Sequence, residues 1–297
     1  MAKDAATVGS LAQSFAYCER QARLKAGNFY HGFRLLPRAQ RLGTCALYAF
    51  LRVTDDIADA TAPPDEKRPR LDHWRQQLAL ALCGHYTHPV HAALHATVQS
   101  YAVPMEYLQL ALDGVAMDLE VRRYSTFEDL YAYCYRVASV VGLACIHVWG
   151  YHDEAAKKHA EAAGIAFQLT NILRDLREDA AQDRVYLPSA ELREFGYGEA
   201  ELSRGVRNSH FLELMEYQAK RAREYYEEGE RLAPYLSVPG RAVFQVMMRT
   251  YRGLLEAIVR SGYDVFSRRV RLSRWRKLWL TMQAVPVRLG WNGRGPK

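Results

Sequence analysis

The 297-residue chain is 49% hydrophobic and 25% charged, a globular balance that excludes a disordered, collagen-like or disulfide-scaffold protein. Its net charge of +7 reflects 40 basic and 33 acidic residues, but nine of the basic ones lie beyond Asp264, where no acid occurs. Without them 31 basic residues face 33 acidic ones, so the excess belongs to a tail and no nucleic-acid-binding body is expected.

Apolar residues recur at helical period along most of the chain. Residues 5–25 read as a first helix ending at Gly27, and 28–36 as an aromatic link. Pro37 suits the first turn of the next helix, 38–60, which TAPP at 61–64 stops. Residues 65–83 form another amphipathic helix, followed by helices at 90–102 and 105–121 with Pro104 between them. Ser125 suits an N-cap, with Glu128 as capping-box partner, for a helix over 127–150. A helix over 153–178 follows, and VYLP interrupts the period at 185–188. Short pieces at 191–195 and 198–205 lead to helices at 211–233, 240–261 and 268–283. No stretch alternates at period two between turn signals. The pattern predicts an all-α fold of about a dozen helices in one domain over 1–297, with a basic amphipathic tail from 266.

Five cysteines, at 18, 45, 83, 134 and 145, form no CxxC pair and suggest a reducing cytoplasm. The N-terminus lacks a signal-peptide pattern, and the most apolar run, 137–149, is shorter than the ~20 residues that span a bilayer.

Two acidic clusters carry the chemistry. One is Asp175, Glu178 and Asp179 in NILRDLREDAAQDRVYLP, residues 171–188, between Arg174 and Arg184. Residues three or four apart share a helix face, so Asn171, Asp175, Glu178 and Asp179 point roughly one way, with Gln168 beside them. The other is Asp55, Asp56 and Asp59 in LRVTDDIAD. There Tyr48, Arg52, Asp55 and Asp59 fall on one face, with Asp56 at its edge. One such cluster reads as a solvated helix end. Two of the same design point to the walls of a polar cavity. Mg²⁺ is often held by one or two carboxylates plus substrate phosphate. The two faces are expected to hold Mg²⁺, or Mn²⁺, between them, with Asn171 as a neutral ligand. Arg52, Arg174 and Arg184 would donate to diphosphate oxygens. The chemistry expected is metal-assisted departure of diphosphate.

QLTNILRDLREDAAQDRVYLP, with YAFLRVTDDIAD upstream, resembles the squalene and phytoene synthase family of head-to-head prenyl transferases. FYHGFRLLP, MDLEVRRYSTFEDLYAYCYRVASVVG and YRGLLEAIVRSGYDVFSRRVRLS resemble further blocks of that family, in the right order from about 28 to 280. The resemblance implies an isoprenoid-synthase helical bundle around a central cavity. It implies that Asp55 and Asp59, and Asp175 and Asp179, bind Mg²⁺–diphosphate, with Arg52, Asn171 and Arg174 around the diphosphates. It implies a cavity glutamine at Gln168 and a tyrosine at Tyr133 serving the rearrangement. Val137, Ala138, Val141 and Gly142 match the small apolar wall of the prenyl pocket, and Phe29, Phe33 and Tyr48 its aromatic lining. Tyr251 is expected to reach the site, and Asp118 matches a further acidic position.

The family reaction ionises one allylic diphosphate, attacks a second, loses a proton to give a cyclopropyl diphosphate, then ionises again and rearranges. Where members often carry serines, this chain has Ala26, Gly27 and Asn28, which weakens phosphate contacts from that segment. The length and the FYHGFRLLP block look most like bacterial hopanoid-type enzymes. The expectation is two farnesyl diphosphates condensed to presqualene diphosphate, continuing to squalene or a related product. Phytoene synthase, from two geranylgeranyl diphosphates, is the alternative, as is a catalytically silent scaffold. NADPH use is left open, because members that use it also lack a glycine-rich dinucleotide motif. Prenyl diphosphates and other enzymes of the squalene pathway are the expected partners. The tail, with Leu272, Trp275, Leu278, Trp279 and Met282 along one side, suits either the inner face of an anionic membrane or a final helix packed on the domain. His85, His88, His91 and His95 read as a surface cluster rather than a metal site.

Overall fold

The computed structural model describes residues 10–61, 63–271 and 288. Among them are thirteen α-helices, one π turn and one 3₁₀ turn, with two isolated bridges and no strand. Helix α1 (Leu11–Lys25) opens on a capping box in which the Ser10 hydroxyl accepts from the Gln13 amide and the Gln13 side chain accepts from the Ser10 amide. Gly27, at φ +55°, turns the chain into a short helix α2 (Asn28–Phe33), not a link. Tyr30 and Phe33 bury there, which is why a segment without helical length still adopts a helix. Then come α3 (Arg38–Ala58), α4 (Pro64–Leu82), α5 (His91–Tyr101) and α6 (Met105–Glu120).

The expected 127–150 helix is divided. Helix α7 (Phe127–Cys134) is capped by Thr126 and Asp129, one residue on from the expected Ser125 and Glu128. A π turn (Tyr135–Ser139) follows, and then α8 (Val140–Trp149). The extra residue of a π turn is a common feature of functional sites. The stretch 127–149 reaches the length and hydropathy of a membrane-crossing helix, but half of its most apolar window is buried in the bundle.

Helix α9 (Ala156–Ala181) runs through the middle, and α12 (Ser209–Glu230) and α13 (Val238–Arg260) pack on it. The short α10 (Ser189–Glu194) and α11 (Glu199–Ser203) bridge between. Small residues let α9 take so many neighbours. A Cβ on Gly164 would lie 2.5 Å from Ser139 Cα in the π turn, and one on Gly229 of α12 would lie 2.9 Å from Ala163 Cα. The histidine cluster departs from expectation. His91 is fully buried, stacked on Trp74, and its Nδ1 accepts the amides of Thr87 and His88. An indole face and two orphan amides draw the imidazole into the core.

The Gly164 contact generates a prediction. Gly164→Ala forces α9 and the π turn apart and should cost about 1–3 kcal/mol, lowering the melting temperature by several degrees. An unchanged melting curve would show that the two backbones are not in close contact.

Candidate active site

Helices α3, α8, α9 and α13, with the π turn, enclose an apolar cavity of about 250 Å³. Phe33, Tyr48, Val137, Ala138, Val141, Gly142, Gln168 and Tyr251 all line it, as the sequence suggested, and Asn171 joins them. The side chain of Phe29 lies outside the described residues. Tyr251 stacks on Phe167 at 4.5 Å between ring centroids, and Asn171 donates to Gln168 at 3.3 Å. Thus one end of the cavity is polar and the remainder is mostly hydrocarbon.

Both acidic clusters lie beyond that polar end. Asp55 follows Leu51 on α3, and Asp175 follows Asn171 on α9, each one turn past a residue of the cavity wall. Asp118 of α6 sits within electrostatic reach of both clusters, through Asp59 and Asp55 on one helix and Asp179 on the other. It accepts from Tyr186 at 2.8 Å and from Tyr133 at 3.1 Å. Tyr133 is buried, and its ring stacks on Tyr186 at 5.1 Å. The structure therefore holds Tyr133 at the acidic end through Asp118.

A local pairing pins Tyr186 there. Arg123 donates to the Asp183 carbonyl and carboxylate, both at 2.7 Å, and the Val185 amide donates to the Arg122 carbonyl at 3.0 Å. This turn also delivers Arg184 beside Asp118.

The carboxylates are neutralised unequally. Asp56 faces α1, where Lys25 bonds it at 2.6 Å, and Arg52 bonds it on the other side. Arg52, expected to donate to diphosphate, is thus engaged by Asp56, and it stands 3.9 Å from Asp59. Asp55 is open to solvent, yet protein crowds its carboxyl. That crowding outweighs the pull of Arg52 and, helped by Asp59, Asp56 and Asp118, raises its pKa to about 6. Burial likewise dominates at Asp179. With Asp175, Asp118 and Glu178 adding and Arg184 opposing, its pKa rises to about 7. Burial pushes Asp175 upward too, but Arg174 and Arg269 outweigh it and hold that carboxyl below its ordinary range. Arg174 Nε bonds it at 2.7 Å, and Arg269 grips both oxygens at 2.8 and 2.9 Å.

Arg269 is the residue sequence reasoning missed. It reads as one of many basic residues in a tail, 94 positions from Asp175, and only tertiary packing assigns it a partner. With Lys25, Arg174 and Arg271 it lines a second, basic pocket of about 600 Å³. That pocket shares Met247 and Tyr251 with the apolar cavity.

Among the described residues, no three acidic, histidine or cysteine side chains converge to hold a metal alone. The donors nevertheless fit a hard cation. Pairs of carboxylates one turn apart, with Asn171 beside them, suit Mg²⁺, whose remaining ligands come from water and phosphate. Glu178 Oε2, Arg52 Nε and Arg184 Nε are buried without a hydrogen-bond partner, so polar capacity at this end remains unspent.

An all-α bundle with an apolar cavity, two carboxylate-bearing helices at its mouth and a basic pocket alongside defines a site for amphiphiles with an anionic head. Residues 22–276 match the squalene/phytoene synthase family model, and the chain belongs to that family. It is 36% identical over 289 residues to the 15-cis-phytoene synthase of Synechococcus elongatus, covering 93% of this chain and 94% of that one. It is 36% identical over 285 residues to the phytoene synthase of Arthrospira platensis, covering 92% of each. Among solved structures, a dehydrosqualene synthase superposes with a TM-score of 0.86 at 28% identity, over 95% of this chain and 98% of that one. The squalene synthase HpnC of Alicyclobacillus acidocaldarius gives 0.81 at 28% identity, over 86% and 96%.

The raised pKa of Asp179 predicts a pH-dependent stability. A carboxyl raised in the folded state contributes stability that is full below its unfolded pKa near 4 and lost as pH climbs through about 7. In chelator, Asp179→Asn should match the wild-type melting temperature near pH 4 and exceed it by a few degrees at pH 8. Equal melting temperatures at both pH values would mean that Asp179 ionises without penalty.

Proposed function

We propose that this prenyltransferase condenses two geranylgeranyl diphosphates head to head, with loss of diphosphate, to give phytoene. The carrying observation is one continuous arrangement: an apolar cavity that opens between two acidic helices and shares Tyr251 with a basic pocket. The curated relatives at 36% identity, both named phytoene synthases, favour geranylgeranyl diphosphate over the expected farnesyl diphosphate. Condensation of farnesyl diphosphate to presqualene diphosphate, and onward to a C30 product, is the second reading. The likeness to a dehydrosqualene synthase favours it.

In this reading the diphosphates lie at the polar end, with Asp55, Asp59, Asn171, Asp175 and Asp179 around Mg²⁺. Bound Mg²⁺ would supply positive charge to the leaving diphosphate. Arg52, Arg174, Arg184 and Arg269 donate to its oxygens. Arg269 and Arg174 exchange a carboxylate partner for a phosphate one, at little cost in lost hydrogen bonds. The C–O bond of one substrate breaks, and the allylic cation is attacked by the double bond of the second. Tyr48, Phe167 and Tyr251 give that cation aromatic faces. The apolar walls exclude the water that would quench it. Tyr133, fixed by Asp118, stands at the acidic end for the rearrangement of the cyclopropyl intermediate. A first proton is lost as the cyclopropane closes. The second C–O bond then breaks with departure of the second diphosphate, and loss of a second proton from the rearranged cation yields phytoene without a hydride donor, so NADPH belongs only to the squalene-forming variant. Peripheral attachment to a membrane through the basic tail fits lipid substrates. Arg288 apart, that tail beyond 271 lies outside the described residues.

Full-length protein with Mg²⁺ and geranylgeranyl diphosphate should release diphosphate and form a C40 hydrocarbon irrespective of NADPH. Turnover of farnesyl diphosphate alone would install the second reading, and no release from either would leave a silent scaffold. Asp55→Ala and Asp175→Ala should each lower kcat/KM at least about 10²-fold with the circular dichroism spectrum unchanged. Full activity in either variant would remove that carboxylate from the metal set.

A further inference from the structure

The end of the cavity far from the carboxylates has a construction of its own. Thr44 precedes Asp55 by eleven residues on α3, and Ala160 precedes Asp175 by fifteen on α9. At 1.5 Å per residue these wall residues stand about 16 and 22 Å from the carboxylates along their helices. Trp149, the last residue of α8, borders the cavity at the same depth, next to Thr44.

Trp149 is rigidly held. Its Nε1 donates to Thr44 Oγ1 at 3.2 Å, and the Thr44 hydroxyl donates to the Gln40 carbonyl at 2.8 Å. Its own carbonyl accepts from Gln40 Nε2 at 3.2 Å and from the Ser237 hydroxyl. A Cβ on Gly240 would lie 2.8 Å from Trp149 Cβ, so the start of α13 presses on it from behind. Both Trp149 and Thr44 are buried, at 3% and 1% exposure. An indole has one donor, and here it is used, so turning the ring aside would strand a buried N–H. A wall made only of leucine or methionine could yield to a longer chain by changing rotamers. A hydrogen-bonded indole cannot do so cheaply.

We infer that Trp149, held by Thr44, is the stop against which the prenyl chain ends, and that it sets the chain length this protein accepts. The inference rests on the prenyl diphosphate reading above. Nothing in the departure of diphosphate requires a particular residue at this depth. The indole is bulkier than one five-carbon isoprenyl unit, so its removal admits a chain one unit longer.

The test is competition among farnesyl, geranylgeranyl and geranylfarnesyl diphosphates, with products separated by mass. Trp149→Ala should shift the kcat/KM ratio toward the substrate one unit longer by at least about tenfold. Trp149→Phe, which keeps an aromatic core residue, should give a smaller shift in the same direction. Ala160→Leu, which fills the same end from α9, should shift the ratio toward the shorter chain. These opposite signs separate a stop from general loosening of the core, which would lower all three rates together. If Trp149→Ala does not fold, Trp149→Phe and Ala160→Leu decide. Unchanged ratios in the folded variants of an active protein would overturn the stop. Wild-type protein that releases no diphosphate from any of the three would overturn the underlying reading instead.

Discussion

The crowding of carboxylates at the mouth of an apolar cavity, opposed first by burial and then by mutual repulsion, is the constraint that shapes this molecule. Asp55, Asp56 and Asp59 on α3, Asp118 on α6 and Asp175, Glu178 and Asp179 on α9 share one end of the bundle. Each is relieved differently. Asp56 has Lys25 and Arg52, Asp175 has Arg174 and Arg269, and Asp118 has two tyrosine hydroxyls. Asp55 and Asp179 have no such partner, and their pKa values rise to about 6 and about 7. The two uncompensated carboxyls come one from each helix, which is where a cation with phosphate ligands would do most to relieve the field.

An arrangement so unfavourable locally has to be held by packing elsewhere. Helix α9 supplies that hold. Its alanines and glycines admit the π turn and α12 at backbone contact, and the π turn in turn sits next to Tyr133 in sequence. The same helix then carries Gln168 and Asn171 into the cavity and Asp175 beyond it. One rigid element therefore fixes the distance between hydrocarbon wall and anionic head. A longer side chain at Gly164 would press on the π turn from within the cavity wall itself.

Much of this was legible in the sequence because helical period encodes which residues share a face. The aspartate pairs, Gln168 and Asn171 follow from spacings of three and four, the wall from Val137 to Gly142 follows from the family resemblance, and the structure brings them to one cavity and its mouth. What period cannot encode is choice of partner across the fold. Asp56 takes Lys25 from α1, 31 residues away, as well as Arg52 one turn before it. Arg269 reaches Asp175 from the far end of the chain. Tyr133 looked like a cavity residue, and its bond to Asp118 depends on a turn that Arg123 pins from a third segment. His91 looked solvated as one of four histidines clustered at 85, 88, 91 and 95, whereas its neighbour in space is Trp74. Helix α2 and the π turn escaped for a related reason: each is a short deviation stabilised by burial, with no periodic signal of its own.

The length of the cavity separates two functions that a smaller site would merge. Charge chemistry is confined to the end near Asn171 and Tyr251, and the opposite end is a mostly hydrocarbon wall about 16–22 Å from the carboxylates along α3 and α9. Electrostatic coupling between the ends is small across that span, since nothing ionisable lines the far wall apart from the thiol of Cys145, held neutral by burial. A substitution at the far end can therefore alter which chain fits without disturbing how its head is bound. The chain is similar over most of its length to a phytoene synthase and, at lower identity, shares its fold with a dehydrosqualene synthase. In the reading proposed above, the head is bound at the mouth of the cavity and the length of the chain is felt at its floor, so the two can be varied separately.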